Sequence, residues 1–405
     1  MRQEPRSDVR WVCCQLGARE HYAVPRALHR AGRLAQLITD AWAPSSGRRR
    51  RTGRLGQRYH ADLETAPVEA LTGSLLGHEL LWRLQGKRDW DHMIARNAWF
   101  QSSAARRLRD APGGGPTMVF AHSYAALAIF RDAGRRGWMR VLGQIDPGPE
   151  HYAIVERLTK GSAAFPSPAS IPPPAYFDHW REECGLADRI VVNSSWSRDA
   201  LMRAGVPEQK ITIVSLPYEP PAGAPSFTRT FPARFSPERP LRALFVGTAS
   251  VTKGVPELLE AVDMLQGLPL ELRLVGERAF TVPDRLAAHP RIHWVGPVDR
   301  DAVMEYYRSS DVLVFPSHSD GFGMAQVEAQ AWGLPIIASR HCGAVVRDEE
   351  TGLVVRDVSA DALAAALRRM IESPGLLARF SERARARPMA TLATLAEGLI
   401  ALEPA

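Results

Sequence analysis

Short apolar runs alternate with amphipathic stretches through the first half of the chain. The runs are bounded by turn residues or by helical periodicity, which predicts buried strands at 11–16, 34–39, 117–121, 141–145, 189–193 and 211–215. Segment 78–110 is polar on one face and aromatic on the other, so it predicts one or two helices that cover the sheet. This alternation is typical of a parallel sheet with crossover helices.

A second alternating series follows a break in the pattern. Residues 216–239 hold six prolines without a clear period, which predicts a linker. Beyond it, predicted strands lie at 242–247, 270–276, 291–296, 312–316 and 335–339. We therefore divide the chain into an amino-terminal domain (1–215), a linker (216–239), a carboxyl-terminal domain (240–385) and a last helix (about 386–405) that is able to pack back on the first domain. The proline cluster at 166–174 predicts a loop inside the first domain.

Composition indicates a folded, two-domain protein, with 45% hydrophobic and 23% charged residues among 405. No apolar run approaches the roughly 18 residues of a membrane span, and the first residues carry acids where a signal peptide is apolar. We therefore expect a cytoplasmic protein. Four scattered cysteines do not form a disulfide framework, and we expect Cys13, Cys14, Cys184 and Cys342 to be packing residues.

The formal charge of +7 is partly local. Residues 43–60 contain no acid and six arginines, namely Arg48, Arg49, Arg50, Arg51, Arg54 and Arg58. Such a segment attracts anionic lipid headgroups or a polyanionic substrate, at about 1 kcal/mol per basic residue near a charged surface. The alternative is a solvated, flexible loop. Nucleic-acid binding is disfavoured because no aromatic residues interleave the run and no recognition motif follows it.

The sharpest local signal is the segment 316–335, where a predicted strand ends and a helix begins after Gly321 and Gly323. Free amides at a helix start favour a phosphate or another anion. Asp320 precedes the helix and Glu328 lies roughly 8 Å farther along its axis, so each can hold a different part of one elongated ligand. Read alone, Asp320 could instead be a helix N-cap, and Glu328 could be a surface residue. In its apolar setting, Glu328 needs a hydroxyl or amide partner.

A second signal follows the first strand of the same domain. Gly247 lets the chain turn off the strand, and Lys253 stands immediately before a predicted helix, where a cation can meet a diphosphate. Only four of the 51 basic residues are lysines, which favours a specific role for this one. The alternative is a solvated residue of the first helical turn.

The order of these motifs along essentially the whole chain resembles glycosyltransferase family 4. The resemblance is carried by Lys253-Gly254, by the strand ends at 275–277 and 295–297, by the sequence SDVLVFPS at 310–317, and by Gly-Phe-Gly at 321–323. In the first domain, LADRIVVNS at 186–194, AGVP at 204–207 and Lys210-Ile211 are similar to the family's segment before the linker. The resemblance implies the α/β class and the GT-B fold, with two facing Rossmann-like, doubly wound domains and a central cleft.

This family transfers a sugar from a nucleoside diphosphate to an acceptor hydroxyl with retention of configuration. By the resemblance, Asp320 holds hydroxyls of the donor sugar, with Asp in place of the usual Glu, and Glu328 holds the ribose hydroxyls. Lys253 binds the diphosphate, whereas the arginine that commonly accompanies it is replaced by Thr248. The remaining implied donor-binding positions are Gly17, Thr248, Val298, Gly321, Phe322, Gly323 and Met324.

In the first domain the resemblance places a histidine near the reacting carbon, at the end of a middle strand. His122 fits that position, although a lone histidine there is otherwise structural. Gly17 and Arg19 match the family's glycine loop, and Arg19 is a candidate to replace the missing charge and to contact the acceptor. Asp146 ends the next strand and either faces the acceptor or caps its own loop.

In this family the diphosphate itself is commonly assigned as the base that accepts the acceptor's proton, so no protein nucleophile is required. Asp-x-Asp pairs at 89–91 and 299–301 are near the number that chance supplies, and we expect no metal or other cofactor. The expected acceptor is a glycan, a lipid-linked molecule or a small molecule, as in cell-surface polysaccharide or glycolipid assembly. The alternatives are a GT-B phosphorylase or epimerase, and a catalytically silent nucleotide-sugar-binding protein, which Thr248 and Asp320 suggest.

Overall fold

The computed structural model describes residues 9–43, 58–108, 117–168 and 170–404. Strands and helices alternate through the first half in the order β1 (Arg10–Gln15), α1 (Ala23–Arg30), β2 (Leu34–Thr39), β3 (Val68–Ala70), α2 (Thr72–Leu84), α3 (Asp89–Arg107), β4 (Thr117–His122), α4 (Leu127–Arg135), β5 (Met139–Gly143), α5 (Pro149–Gly161), α6 (Pro174–Leu186), β6 (Arg189–Val192), α7 (Ser195–Arg203) and β7 (Ile211–Ile213). None of the described helices is long and apolar enough to cross a membrane.

The alternation continues in the second half. Its elements are β8 (Leu241–Val246), α8 (Val255–Met264), β9 (Leu270–Val275), α9 (Asp284–Ala287), β10 (Ile292–Gly296), α10 (Arg300–Ser309), β11 (Val312–Phe315), α11 (Met324–Ala331), β12 (Ile336–Ser339), β13 (Gly352–Val355), α12 (Ala360–Glu372), α13 (Pro374–Ala386) and α14 (Leu392–Ile400).

Each half builds one parallel sheet. The orders are β3-β2-β1-β4-β5-β6-β7 and β10-β9-β8-β11-β12-β13. The strand order reverses between β1 and β4 in the first sheet and between β8 and β11 in the second. Ligands of open α/β sheets bind outside the carboxyl ends of the strands at such points. The predicted pair of doubly wound domains is confirmed.

The eleven predicted strands lie within two residues of observed ones. The prediction missed β3 and β13, which are short strands at sheet edges, because Val-Glu-Ala and Gly-Leu-Val-Val are too short to give a period. The predicted helical cover over 78–110 is formed by α2 and α3, which are separated near Gly86, a residue with φ of +68°. All four cysteines are unpaired and buried, as predicted, and burial raises the pKa of each thiol.

The predicted loop at the proline cluster connects α5 and α6 of the first domain, and its start also contacts the second domain. The Pro166 carbonyl accepts a hydrogen bond from the Thr281 amide (2.8 Å), and the Ser167 hydroxyl donates to the Ala279 carbonyl (3.2 Å). Just before the cluster, the Phe165 ring packs in the second domain's core, 5.8 Å from that of Phe280. The segment from 165 to 167 is therefore part of the interface between domains.

The last helix, α14, packs in the core of the first domain rather than the second. Buried side chains of α14 join a cluster with Trp11 and Tyr22; they are Leu392, Leu395, Ala396 and Leu399. The Trp11 indole donates to the Glu403 carboxylate (2.9 Å). The chain thus crosses between the domains a second time, and the Tyr218 amide of the first crossing donates to the Ala390 carbonyl of the second (3.0 Å).

This packing predicts that a substitution on α14 that leaves a cavity in the core destabilises the first domain. Leu399→Ala removes a fully buried side chain, and we expect a loss of about 2–5 kcal/mol in the free energy of unfolding, measured by urea denaturation. Glu397→Ala, which changes an exposed position on the same helix, is expected to stay within about 0.5 kcal/mol of the parent. Equal stability of the two variants would contradict the role assigned to α14.

Candidate functional site

An ion pair between Lys253 and Asp320 lies at the carboxyl edge of the second sheet. β8 and β11 are neighbours, so the loops that follow them meet. Gly254 has φ of +67°, and a Cβ there would lie 2.1 Å from the Pro316 carbonyl oxygen. Only glycine permits this approach, which brings the Lys253 ammonium onto the Asp320 carboxylate and to 5.6 Å from the centre of the Phe315 ring.

Asp320 is not a helix N-cap, so that alternative interpretation is wrong. Its Oδ1 accepts from the Phe322 amide (3.2 Å), and its Oδ2 receives the Lys253 ammonium. α11 begins instead after Gly323, the N-cap residue, at φ of +86°. A Cβ on Gly323 would lie 2.6 Å from the Phe315 ring, so the turn depends on glycine. The carboxylate is left facing the loop that carries Lys253.

Glu328 lies on α11 and is half-buried. Its Oε2 accepts from the Tyr307 hydroxyl (2.7 Å), which is the partner that its apolar setting required. Burial and the charge of Glu328 raise the pKa of Tyr307, and the same two causes raise the pKa of Tyr218, in the linker, to about 12. The carboxylate therefore faces a tyrosine cluster where the linker meets the second domain.

The loop that carries Asp320 reaches across to the first domain. The Gly321 carbonyl accepts from the hydroxyls of Ser194 (2.6 Å) and Ser197 (3.3 Å) at the start of α7. A Cβ on Gly321 would lie 3.1 Å from the Ile145 carbonyl oxygen. The indole of Trp196 donates to the Ser319 hydroxyl (3.3 Å). The loop that follows β11 is thus docked against the carboxyl ends of β5 and β6.

His151 occupies the same junction and was not predicted. Its Nδ1 lies 3.1 Å from the Ser319 hydroxyl oxygen. Burial lowers the pKa of this imidazole, and the charges of Asp146, Lys253 and Asp320 also act on it. The sequence does contain a signal for His151, because this residue lies in the first turn of α5, shortly after the end of the predicted strand at 141–145.

His122 ends β4, as the prediction placed it, and both of its ring nitrogens are buried without a hydrogen-bond partner in the described part of the chain. A Cβ on Gly143 would lie 2.4 Å from the Phe120 ring and 3.1 Å from His122 Nδ1, so this glycine makes room for both rings. Burial, followed by the charge of Arg19, lowers the pKa of His122 to about 3. At neutral pH, burial keeps this imidazole uncharged.

His122 lines a cavity of about 370 Å³ in the first domain. Three arginines also line it, namely Arg19, Arg58 and Arg96. Beneath them, the fully buried Asp40 accepts from Arg58 (3.1 Å), Arg96 (2.8 Å) and the Gly17 amide (2.9 Å). Arg58, the last arginine of the basic run, therefore points into the molecule rather than toward a membrane surface. Arg48, Arg49, Arg50, Arg51 and Arg54 lie outside the described residues.

Asp146 caps its own loop. Its Oδ1 accepts from the Gly148 amide (2.8 Å) and from the Tyr124 hydroxyl (2.8 Å), and its Oδ2 accepts from the Tyr152 hydroxyl (3.4 Å). Asp146 is therefore linked to the first-domain cavity only indirectly, because the Tyr124 side chain that donates to it lines that cavity.

Glu183 holds the turn that follows His122, a role that the sequence did not reveal. From α6, its buried carboxylate accepts from the amides of Tyr124 (2.6 Å), Ala126 (2.7 Å) and Leu127 (3.1 Å). Tyr124 has φ of +72°, and these bonds stabilise that conformation. Burial raises the pKa of Glu183 to about 7, against the lowering effect of the three amides. A single glutamate in an amphipathic helix gives no sequence signal for this.

The loop after β1 is contorted. Gly17 has φ of +84°, and Glu20, His21 and Tyr22 follow in a left-handed turn with φ of 43°, 52° and 61°. His21 contacts Arg300 of the second domain. These two residues, with Tyr218 and Met324, line a second cavity of about 220 Å³ between the domains.

The other predicted donor positions are dispersed. Thr248 is exposed beyond the end of β8, whereas Val298 is half-buried against the second core and Phe322 is buried. Lys253, Asp320 and Glu328 line neither of the two cavities described. Within the described ranges, no three His, Cys, Asp or Glu side chains converge as a metal site would require.

Comparison with known sequences and structures identifies similar proteins. Residues 226–387 match the family model of glycosyl transferases group 1. The D-inositol 3-phosphate glycosyltransferase of Streptomyces bingchenggensis is 31% identical over 224 residues, 49% of each chain. That of Rhodococcus jostii is 28% identical over 216 residues, 49% of this chain and 48% of the relative. These alignments span about half the length of the curated relatives.

Several solved structures are similar in fold to nearly the whole length of this chain. Anabaena HepE, in complex with UDP-glucose, has a TM-score of 0.62 at 16% identity, covering 97% of this chain and 98% of that one. Sucrose-phosphate synthase from Thermosynechococcus elongatus has a TM-score of 0.64 at 18% identity, covering 98% of each chain. At these identities the likeness is one of fold, and the predicted GT-B fold is confirmed.

The close approach of Gly254 to the Pro316 carbonyl predicts that adding one methyl group at position 254 pushes the two loops apart and breaks the Lys253–Asp320 ion pair. Because Gly254→Ala adds both a clash and a left-handed alanine, we expect a loss of about 3 kcal/mol in the free energy of unfolding, measured by urea denaturation. Gly267→Ala, where nothing lies within 4 Å of the added Cβ, is the matched control and should be nearly neutral. A harmless Gly254→Ala would show that the close approach is not required.

The buried setting of His122 predicts that its imidazole stays neutral from pH 8 down to about pH 4.5. The unfolded chain binds this proton near pH 6.5 and the folded chain only near pH 3, so stability falls as pH falls below 6.5. Ring-proton NMR shifts, assigned by comparison with His122→Phe, measure this directly, and the variant should lose less stability on acidification. A titration midpoint near 6.5 would contradict this assignment.

Proposed function

We propose that this protein, whose residues 226–387 match the family model of glycosyl transferases group 1, transfers a sugar from a nucleoside diphosphate sugar to an acceptor hydroxyl with retention of configuration. The observation that carries the proposal is the Lys253–Asp320 pair, in a glycine-formed loop that also touches the first domain. The complexes of HepE with UDP and with UDP-glucose support a uridine diphosphate sugar as donor.

When the donor binds, it replaces Asp320 as the partner of Lys253 and replaces Lys253 as the partner of Asp320. The diphosphate binds the Lys253 ammonium and the amides at the start of α11, while Asp320 turns from Lys253 to hydroxyls of the sugar. Glu328, already bonded to a tyrosine hydroxyl, binds hydroxyls of the ribose. The half-buried state of Glu328 strengthens such bonds, since a carboxylate with few water contacts gains more from each donor.

Transfer separates charge between an oxocarbenium-like sugar and a departing diphosphate. Lys253 and the amides near Met324 stabilise the growing negative charge, and the diphosphate accepts the acceptor's proton. His122 is neutral, so it stabilises the sugar through a hydrogen bond rather than through charge. No protein nucleophile and no metal or other cofactor take part in this proposal.

The second positive charge of the donor site is proposed to come from the first domain. Thr248 carries no charge, and Arg19 acts electrostatically on His122, Tyr152 and Tyr176. Among the described residues Arg19 forms no ion pair, so its charge is available to a ligand. We assign Arg19 to the phosphate side of the cleft or to the acceptor, which enters the cavity beside His122.

The proposed acceptor is a glycan, a lipid-linked molecule or a small molecule, and the proposed setting is cell-surface polysaccharide or glycolipid assembly in the cytoplasm. A cavity lined by three guanidinium groups and two tyrosine rings can take a polar group and a sugar face together. The alternative, a silent nucleotide-sugar-binding protein, is favoured by the exposed Thr248, which supplies no charge to the leaving group.

Calorimetric binding of UDP and UDP-glucose, with turnover of UDP-glucose, tests the assignment. Lys253→Met removes a charge-assisted contact and should weaken both ligands about tenfold to a hundredfold. Asp320→Asn should weaken UDP-glucose more than UDP and lower turnover about a hundredfold, and Glu328→Gln should weaken both ligands.

Glu382→Gln, at an exposed position on α13, is the matched carboxylate control and should behave as the parent does. Unchanged binding and turnover in all three site variants would remove the roles proposed for Lys253, Asp320 and Glu328. Binding without turnover in the parent, across a panel of acceptors, would favour the silent protein instead.

A further inference from the structure

The helix α2 turns an apolar face to solvent. Four leucines on it are 46–77% exposed, namely Leu76, Leu80, Leu81 and Leu84. Leu76, Leu80 and Leu84 follow one another at intervals of four residues, so they form a ridge along one side of the helix. The opposite side carries the buried Leu75 and Trp82. A surface helix normally has polar residues on its outer face, and α2 has leucine there.

The charge that accompanies this ridge is positive. Arg83 is exposed on the same helix, and Lys87 and Arg88 follow its end. None of these three cations has an ion-pair partner within the part of the chain that the structure describes. The acid of the helix, Glu79, points away from the ridge and bonds to His92 of α3 (3.0 Å).

The first turn of α2 contacts the described segment that precedes the basic stretch in the sequence. The Thr72 hydroxyl, in the first turn of α2, accepts from the Trp42 amide (3.1 Å). The described chain stops one residue later, and the sequence from 44 to 57 contains five arginines and no acid. In the neighbouring helix α3, Met93 is 45% exposed and lines the first-domain cavity.

We propose that the leucine face of α2 (Leu76, Leu80, Leu81 and Leu84, with Arg83, Lys87 and Arg88) docks this protein on an anionic lipid surface. An interfacial helix inserts its apolar side chains at the boundary of headgroups and acyl chains, while flanking cations bind the headgroups. Charge argues against a second copy as the occupant, because pairing two such faces would bring six unpaired cations together.

In this arrangement α3, whose His92 bonds to Glu79, lies between the docked face of α2 and the cavity beside His122, and the exposed Met93 of α3 lines that cavity. A lipid-linked acceptor could then enter from the membrane with its headgroup near the three arginines that line the cavity. Only this step rests on the proposed glycosyl transfer, since the docking itself follows from the surface of α2.

Flotation of the full chain with vesicles tests the proposal. We expect it to float with vesicles of phosphatidylcholine and about one-third phosphatidylglycerol, and at least fivefold less with phosphatidylcholine alone or in about 0.5 M salt. The double variant Leu80→Glu and Leu84→Glu should lose at least tenfold in bound fraction. Met264→Glu, at a 53% exposed position on the second domain, is the matched control and should bind as the parent does.

A triple variant, Arg83→Gln, Lys87→Gln and Arg88→Gln, should lose the preference for anionic vesicles while keeping its melting temperature. Parent protein that binds neither vesicle, or leucine variants that bind as the parent does, would overturn the proposal. A parent dimer that the leucine variants convert to monomer, without vesicle binding, would assign the face to self-association and also overturn it.

Calorimetry with UDP-glucose separates the two proposals. Vesicle binding without UDP-glucose binding would leave the docking surface standing and remove the proposed transferase function. Binding of UDP-glucose without vesicle binding would do the reverse.

Discussion

The site depends on the close approach of two loop backbones in the second domain. Gly254 lies so near the Pro316 carbonyl that no side chain fits between them, and this contact sets the distance between Lys253 and Asp320. An ammonium and a carboxylate in contact neutralise each other, and this pair links the loops that follow β8 and β11. A ligand that carries both negative charge and hydroxyl groups offers each member of the pair a new partner.

The same loop forms several polar contacts between the domains. Its Gly321 carbonyl accepts two serine hydroxyls from the start of α7, and Ser319 lies between His151 and Trp196. Asp320, which we propose as a ligand contact, is therefore one residue away from the domain contacts of Ser319 and Gly321.

The sequence predicted the architecture well because buried parallel strands are continuous apolar runs. It also singled out Lys253 and Asp320 because they stand beside glycine turns, and their roles in binding stay predictions. It did not predict contacts between distant segments. Glu183 is a single glutamate in a helix, and its role depends on three amides some 57 residues away in the chain. Arg58 belongs to a basic run that predicted a solvent-exposed segment. It instead forms an ion pair with the buried Asp40, a contact between separate segments that the sequence pattern did not predict.

The return of α14 to the first domain makes the second domain an insertion held by two covalent connections. Those connections are themselves hydrogen-bonded, through Tyr218 and Ala390. A domain that is connected at two adjacent points can rotate, as in a hinge motion, about the line that joins those points. A rotation of this kind opens and closes the space between the carboxyl edges of the two sheets.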